Sequence, residues 1–380
     1  MDFQLGPNAD ELRAEVAQFM EDFLTPERVE GYYRSGVSHD PAFTRELIDR
    51  GWFAAGWPKE DGGSERDPLE MHVFMEELMR HDAPTYANGV SLQVAKAIGY
   101  GGSEQLRREI VPKIIRAEVI CALGFSEPGA GSDVANAQLR ATRDGDDWLI
   151  NGSKMFTTNA HLADYIFVLT RSNPDVPKHK GLTMFLVPTD SPGFEYQAVY
   201  TVSGERTNIT YYNDVSVPDT YRIGEVDAGW RVMTAALQDE HGAAFGVRTE
   251  RLLEEAEAWA RESGRIDDPD VRTRLARVAA EAEVSVLLQR RAHWMTEQGT
   301  VPEAEAPMAK LYSSEALVRA SADLADLMGP DAVRSYFDPT APRGGYVEHM
   351  ARFALGTTIY AGTSEVQRNI IAQRGLGLPR

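Results

Sequence analysis

The chain has 380 residues, beyond the roughly 250 to 300 at which a single hydrophobic core stops growing, so two or three packed layers or domains are expected. Hydrophobic residues make up 43% and charged residues 26%, a globular composition that excludes disordered and fibrous classes. A net charge of −19 argues against nucleic acid or an anionic membrane surface as the main partner, and one cysteine, Cys121, excludes a disulfide framework and a cysteine-based zinc site.

Met1 to Glu11 carries no basic-then-apolar signal, and no apolar run reaches the roughly 18 residues of a membrane span, so a cytoplasmic protein without membrane insertion is expected. Residues 1 to about 118 read as helices. Leu12, Val16, Phe19 and Phe23 recur at helical spacing, and Pro41 to Arg50, Leu69 to Arg80 and Gln105 to Arg116 follow between Gly-, Pro- and Asp-containing breaks. His39, His72 and His81 lack metal-ligand spacing and read as surface or capping groups.

Near residue 119 the period changes. The apolar run Val119 to Phe125 leads into Ser126-Glu-Pro-Gly-Ala-Gly-Ser-Asp133, a turn whose backbone N–H groups and small side chains would admit a planar or anionic ligand. An ordinary Gly/Pro connection after a strand has the same composition. Leu139 to Thr142, Trp148 to Asn151, Tyr165 to Thr170, Leu182 to Pro188, Phe194 to Val202 and Thr207 to Val215 read as an antiparallel β portion, with Asp144-Gly145 as a hairpin turn. From Gly229 helical patterning returns and runs to the end, broken near Ser263 to Pro269, Thr300 to Pro307 and Met328 to Ala332.

Two features of that last portion carry chemistry. In the stripe Met233, Leu237, Glu240, Ala244 and Val247, a carboxylate interrupts an apolar face, where it must be paired, protonated or lining a cavity. An edge-of-stripe glutamate meeting solvent or an arginine would satisfy the same pattern. Near the C-terminus, Thr363 or Ser364 can cap a helix beginning near Glu365, whose charge suits the positive end of the helix dipole.

Leu123-Gly-Phe-Ser-Glu-Pro-Gly-Ala-Gly-Ser-Asp133, Gly152-Ser-Lys-Met-Phe-Thr-Thr-Asn159 and the terminal Tyr360-Ala-Gly-Thr-Ser-Glu-Val-Gln-Arg segment together resemble the acyl-CoA dehydrogenase family, nearest in pattern to its actinobacterial steroid side-chain members. Gly51 to Gly63 resembles the N-terminal helical domain of that family. The resemblance implies an α+β fold with an N-terminal helical domain (1–118), a middle β domain (119–228) and a C-terminal four-helix bundle (229–380). It implies FAD as cofactor, met by Leu123, Phe125, Ser126, Gly131, Ser132, Phe156, Thr157, Thr158, Thr363 and Glu365. It also implies an acyl-CoA substrate met by Ser132, His241, Ala361 and Gly362.

The chain departs from the family pattern at several places. Phe156 stands where tryptophan is usual, keeping a flat apolar wall. Ala361 stands where many members have the catalytic glutamate, so the base is expected at Glu240, the position used by members that carry it on this helix. His241 replaces the arginine usual beside it. The family's Arg-x-x-Phe-Gly element, which grips a neighbouring subunit's FAD, is missing near Arg261 to Val271, and of the later glycine-rich segment Asp326 to Ala332 keeps little besides Gly329. The expected function is FAD-dependent α,β-dehydrogenation of an acyl-CoA in fatty acid or steroid side-chain β-oxidation, with electron-transfer flavoprotein or a similar acceptor. The expected assembly is a homo-oligomeric tetramer or an α2β2 hetero-tetramer with a second chain of this family. A flavin monooxygenase or oxidase of the same fold, a non-catalytic subunit, and a scaffold with another task are the alternatives.

Overall fold

The computed structural model describes residues 6–37, 39–236 and 245–379. They form two compact units, one of Met1–Glu30, His72–Asp82 and Glu240–Arg380, the other of Gly31–Met71 and Ala83–Asp239. No helix among the described residues is long and apolar enough to cross a membrane.

The second unit is built on a sheet. After the Gly31–Ser35 part of helix α2 (Pro26–Ser35) and helix α3 (Pro41–Asp49) come α5 (Tyr86–Gly101), α6 (Glu104–Glu109) and α7 (Val111–Ile115). Asp40 caps α3, accepting from the backbone N–H groups of Ala42 and Phe43. The strands are β1 (Cys121–Gly124), β2 (Arg140–Asp144), β3 (Asp147–Lys154), β4 (Tyr165–Arg171), β5 (Leu182–Pro188), β6 (Phe194–Tyr200), β7 (Arg206–Pro218) and β8 (Arg222–Ile223), followed by helix α8 (Gly229–Ala236). Among the described residues the strand order is β6-β7-β3-β2-β4-β5-β8, with β1 also on β4.

Most pairs are antiparallel, but β1 pairs with β4 in parallel, Cys121 opposite Tyr165, and β2 touches β4 in parallel at Arg140 and Arg171. This corrects the wholly antiparallel expectation. A parallel partner lies far along the chain, so no local turn signals it. The β2–β3 turn is Gly145-Asp146, one residue beyond the expected pair, because Asp144 and Asp147 are opposite each other and Gly145 takes the left-handed φ of 61°.

β4 and β5 are apolar on both faces because both faces are covered. Phe167, Leu169, Leu182, Met184 and Leu186 pack with Val94, Ile98, Ile114, Val232 and Met233 of the helices. Their alternating neighbours Ile166, Val168, Phe185 and Val187 pack with Trp148, Ile150, Tyr212 and Val215.

The first unit is helical: α1 (Pro7–Phe23), α4 (Pro68–Arg80), α9 (Gly246–Glu262), α10 (Pro269–Glu297), α11 (Glu305–Met328), α12 (Tyr346–Thr357) and α13 (Ser364–Ile370). Leu252, Ala256 and Trp259 of α9 meet Leu275 and Val278 of α10, Leu317, Ala320 and Leu324 of α11, and Met350 and Ala354 of α12, at the three- and four-residue spacing of a buried helical face. His72 is not a surface group: its ring stacks on that of His293, centroids 4.4 Å apart.

Candidate functional site

In the sheet unit, the loop after β1 is shaped by its own short-range bonds. Glu127 and Ala130 exchange two backbone hydrogen bonds around Pro128-Gly129. The Glu127 carboxylate then accepts from the backbone N–H groups of Gln138 (2.7 Å) and Leu139 (2.9 Å) and from Lys154 Nζ (2.7 Å). Lys154, the last residue of β3, is fully buried and also donates to the Phe125 carbonyl at 3.1 Å. The Met155 N–H donates to the Ser126 carbonyl at 2.8 Å. Phe125 and Ser126 are thus tied to the strand end that leads into Phe156.

Leu123 lies on β1, and Phe125 packs edge-on against Phe167. Gly131 and Ser132 are exposed on the loop, and the following Asp133 pairs with Lys178 Nζ at 2.6 Å. Burial of the Lys154 ammonium pulls its pKa down to about 8, against the opposing pull of Glu127.

Phe156 is left-handed (φ 60°) and 56% exposed, an apolar ring held out from the fold in a strained conformation. The strain is imposed from behind. Thr157 N–H donates to the Asn208 carbonyl at 2.8 Å, and the buried Asn208 amide returns a 3.0 Å bond to the Thr157 carbonyl. Thr157 and Thr158 hydroxyls lie 3.4 Å and 3.1 Å from those of Thr210 and Thr207.

In the helical unit, Thr363 Oγ1 accepts from the Val366 N–H at 3.3 Å and caps α13, with Glu365 in its first turn. The helix starts one residue before the expected Glu365, and of the two candidate caps it is Thr363 that serves. Ala361 and Gly362 precede it, both left-handed, with φ of 53° and 83°. Gln367 Nε2 donates to the Ala361 carbonyl at 2.9 Å, and Lys310 Nζ of α11 donates to the Gly362 carbonyl at 2.5 Å. Glu240 and His241 lie outside the described residues.

Comparison with known proteins follows this geometry along the whole chain. Models of the acyl-CoA dehydrogenase N-terminal, middle and C-terminal domains match residues 6–118, 122–215 and 227–376. Acyl-CoA dehydrogenase FadE26 of Mycobacterium tuberculosis is 36% identical over 98% of each chain. The chain belongs to the acyl-CoA dehydrogenase family. FadE29 of the same organism is 34% identical, covering 100% of this chain and 99% of its own. Among solved structures, the Tcur3481-Tcur3483 steroid acyl-CoA dehydrogenase covers 100% of both chains at a TM-score of 0.94 and 34% identity. The ChsE4-ChsE5 complex from M. tuberculosis covers 100% of both at 0.90 and 36%.

As an acyl-CoA dehydrogenase the protein is an FAD-dependent oxidoreductase with the three-part fold of that family. The sheet unit fits the flavin. Phe156 offers a fixed, outward apolar face beside two threonines, which suits a ring that is apolar on its face and polar at its edge. In the helical unit, Trp259, Arg265, Asp331 and Arg334 form an internal cluster. Arg265 stacks over Trp259 (5.2 Å to the centroid) and donates to the Leu327 carbonyl, while Trp259 Nε1 donates to Asp331 at 2.8 Å and Arg334 pairs with Asp331.

Sequence reasoning missed Lys154, Asn208, Lys310 and Gln367, the residues that hold the site segments in place. A signal existed for Lys310. It interrupts the buried face Ala306, Ala309, Ser313, Leu317 of α11, as Glu240 interrupts its own stripe.

Proposed function

We propose that the chain catalyses the α,β-dehydrogenation of an acyl-CoA thioester, with the fatty acyl or steroid side-chain class as substrate. The observation that carries the reading is the Ala361–Gly362 turn, whose two carbonyls are held by buried donors and whose N–H groups have no acceptor among the described residues. The Ala361 N–H would donate to the thioester oxygen, which needs only the backbone and so survives the loss of a side-chain base. Such a preorganised donor stabilises the charge that develops as the α-proton leaves, typically by about 3 to 4 kcal/mol. Glu240 removes that proton; FAD, when bound, supplies a hydride acceptor at N5 for the β-hydrogen.

Leu123, Phe125, Ser126, Gly131, Ser132, Phe156, Thr157 and Thr158 of the middle domain (119–228), with Thr363 and Glu365 of the C-terminal domain (229–380), would hold FAD. Ser132, His241 and Gly362 would line the thioester's path. The second partner is a different chain of the same family, in an α2β2 tetramer. The Arg265–Trp259–Asp331 cluster supports this, because it fills with internal bonds a surface that the family gives to a neighbour's FAD. The ChsE4-ChsE5 and Tcur3481-Tcur3483 structures are named for two chains each. Electrons would leave to an electron-transfer flavoprotein or similar acceptor in the cytoplasm.

The test is to purify the chain alone and with its genomic neighbour, record the flavin spectrum, and titrate each anaerobically with straight-chain and steroid side-chain acyl-CoAs. Bleaching of the oxidised band by one class supports the reading. A flavoprotein that no acyl-CoA bleaches but that consumes oxygen when chemically reduced would favour the oxidase alternative instead.

A further inference from the structure

Ala361 and Gly362 are consecutive left-handed residues. A non-glycine residue there is strained, so the conformation persists only where its surroundings impose it. Two buried side chains do so. Gln367, on the first turn of α13, holds the Ala361 carbonyl, and Lys310, 1% exposed on α11, holds the Gly362 carbonyl. Because each peptide unit is planar, these two bonds fix the orientation of the two peptide planes that follow the Ala361 N–H. A methyl group at Gly362 would stand 2.6 Å from Gln367 Nε2, so the clamp and the glycine are fitted to each other.

Lys310 is a costly way to achieve packing alone. Among the described residues its sole hydrogen-bond acceptor is the Gly362 carbonyl; Glu315 and Glu365 attract its charge, but neither forms an ion pair with it, and burial outweighs them. An ammonium taken out of water with a single neutral acceptor and no contacting carboxylate is destabilising, and an apolar side chain of similar volume would fill the same space at lower cost. What the amine adds is a donor at one defined point behind the turn.

We propose that Lys310, acting with Gln367, is a positioning residue that holds the Ala361–Gly362 turn with its N–H groups free for the thioester oxygen. This rests on the reading of Ala361 given under Proposed function. The lysine does not touch the substrate; it acts through the backbone it holds.

The test uses the flavin-loaded protein, with its partner chain where one is required, and acetoacetyl-CoA as probe. Acetoacetyl-CoA ionises to an enolate whose oxygen charge an N–H donor would stabilise, and the bound enolate is read from its absorbance beside the oxidised flavin. In wild type the probe should ionise at a lower pH bound than free. Lys310→Met should raise that bound pKa by about one unit, a tenfold loss of enolate stabilisation. It should lower kcat about 10²-fold, as misplacement by an ångström does, and leave KM and flavin content near wild type. A wild type that leaves the bound probe's pKa unmoved would overturn the thioester reading itself. A wild type that lowers it, matched by Lys310→Met, would overturn the role of Lys310 alone. Should Lys310→Met not fold, Gln367→Leu carries the same expectation and the same refutation.

Discussion

Replacing Lys154 by methionine removes the counter-charge on which the loop after β1 is built. Lys154 is fully buried and Glu127 only 8% exposed, at a separation of 2.7 Å, so little water is available to take over from the lost ammonium. The variant loses two charge-assisted bonds, to Glu127 and to the Phe125 carbonyl, and leaves a carboxylate held by two backbone N–H groups with only the more distant Arg171 guanidinium to oppose its charge. Breaking one side of a buried pair costs about 3 to 5 kcal/mol, and the expected loss lies in that range. Reversible urea unfolding followed by tryptophan fluorescence measures it. The double variant Glu127→Gln/Lys154→Met should recover at least about 1 kcal/mol of the summed single losses, because the pair is coupled. Flavin affinity should fall with stability, since Phe125, Ser126 and Met155 hang from the same bonds. A Lys154→Met protein within about 1 kcal/mol of wild type, with undiminished flavin affinity, would refute the reasoning.

Gly362→Ala should lower kcat and cost about 1 to 3 kcal/mol, from positive φ and the 2.6 Å approach to Gln367; steady-state kinetics and thermal unfolding check both. Thr363→Ala removes the α13 cap and should cost about 1 kcal/mol, with Thr363→Ser restoring most of it. Burial pulls the His349 imidazole down to about 4. The folded protein therefore keeps it neutral while the unfolded chain takes up a proton below the ordinary value near 6.5. Stability from this group is complete above pH 6.5 and falls as pH drops to 4, by on the order of 3 kcal/mol. His349→Gln should flatten that part of the stability–pH curve, as urea titrations across the window would show.

What could be read from the sequence was local. The apolar runs of β4 and β5, the Thr363–Glu365 helix start and the Pro-Gly turn after β1 each announce themselves within a few residues. Helix α5 does not, because Asn88, Gly89, Gly99 and Gly101 are poor helix formers and only burial of Val94, Ala95 and Ile98 against the sheet side stabilises it. Helix α2 buries no residue and so has no stripe to read. The pairing of β1 with β4 joins positions more than forty residues apart, beyond any turn signal. Lys154 was hidden by its type, since a lysine in sequence reads as solvated, whereas Lys310 is marked only by its place on the apolar face of α11. Asn208 and Gln367 were hidden because the bonds by which they hold Thr157 and Ala361 run to main-chain atoms, which carry no sequence label.

The central claim is that Glu240 supplies the base that Ala361 cannot. Anaerobic stopped-flow reduction of the flavin by the acyl-CoA that bleaches wild type, compared with Glu240→Gln of equal flavin content, tests it most directly. The expected result is intact binding of the thioester with reduction slowed by several orders of magnitude. Reduction of both proteins at the same rate would contradict it.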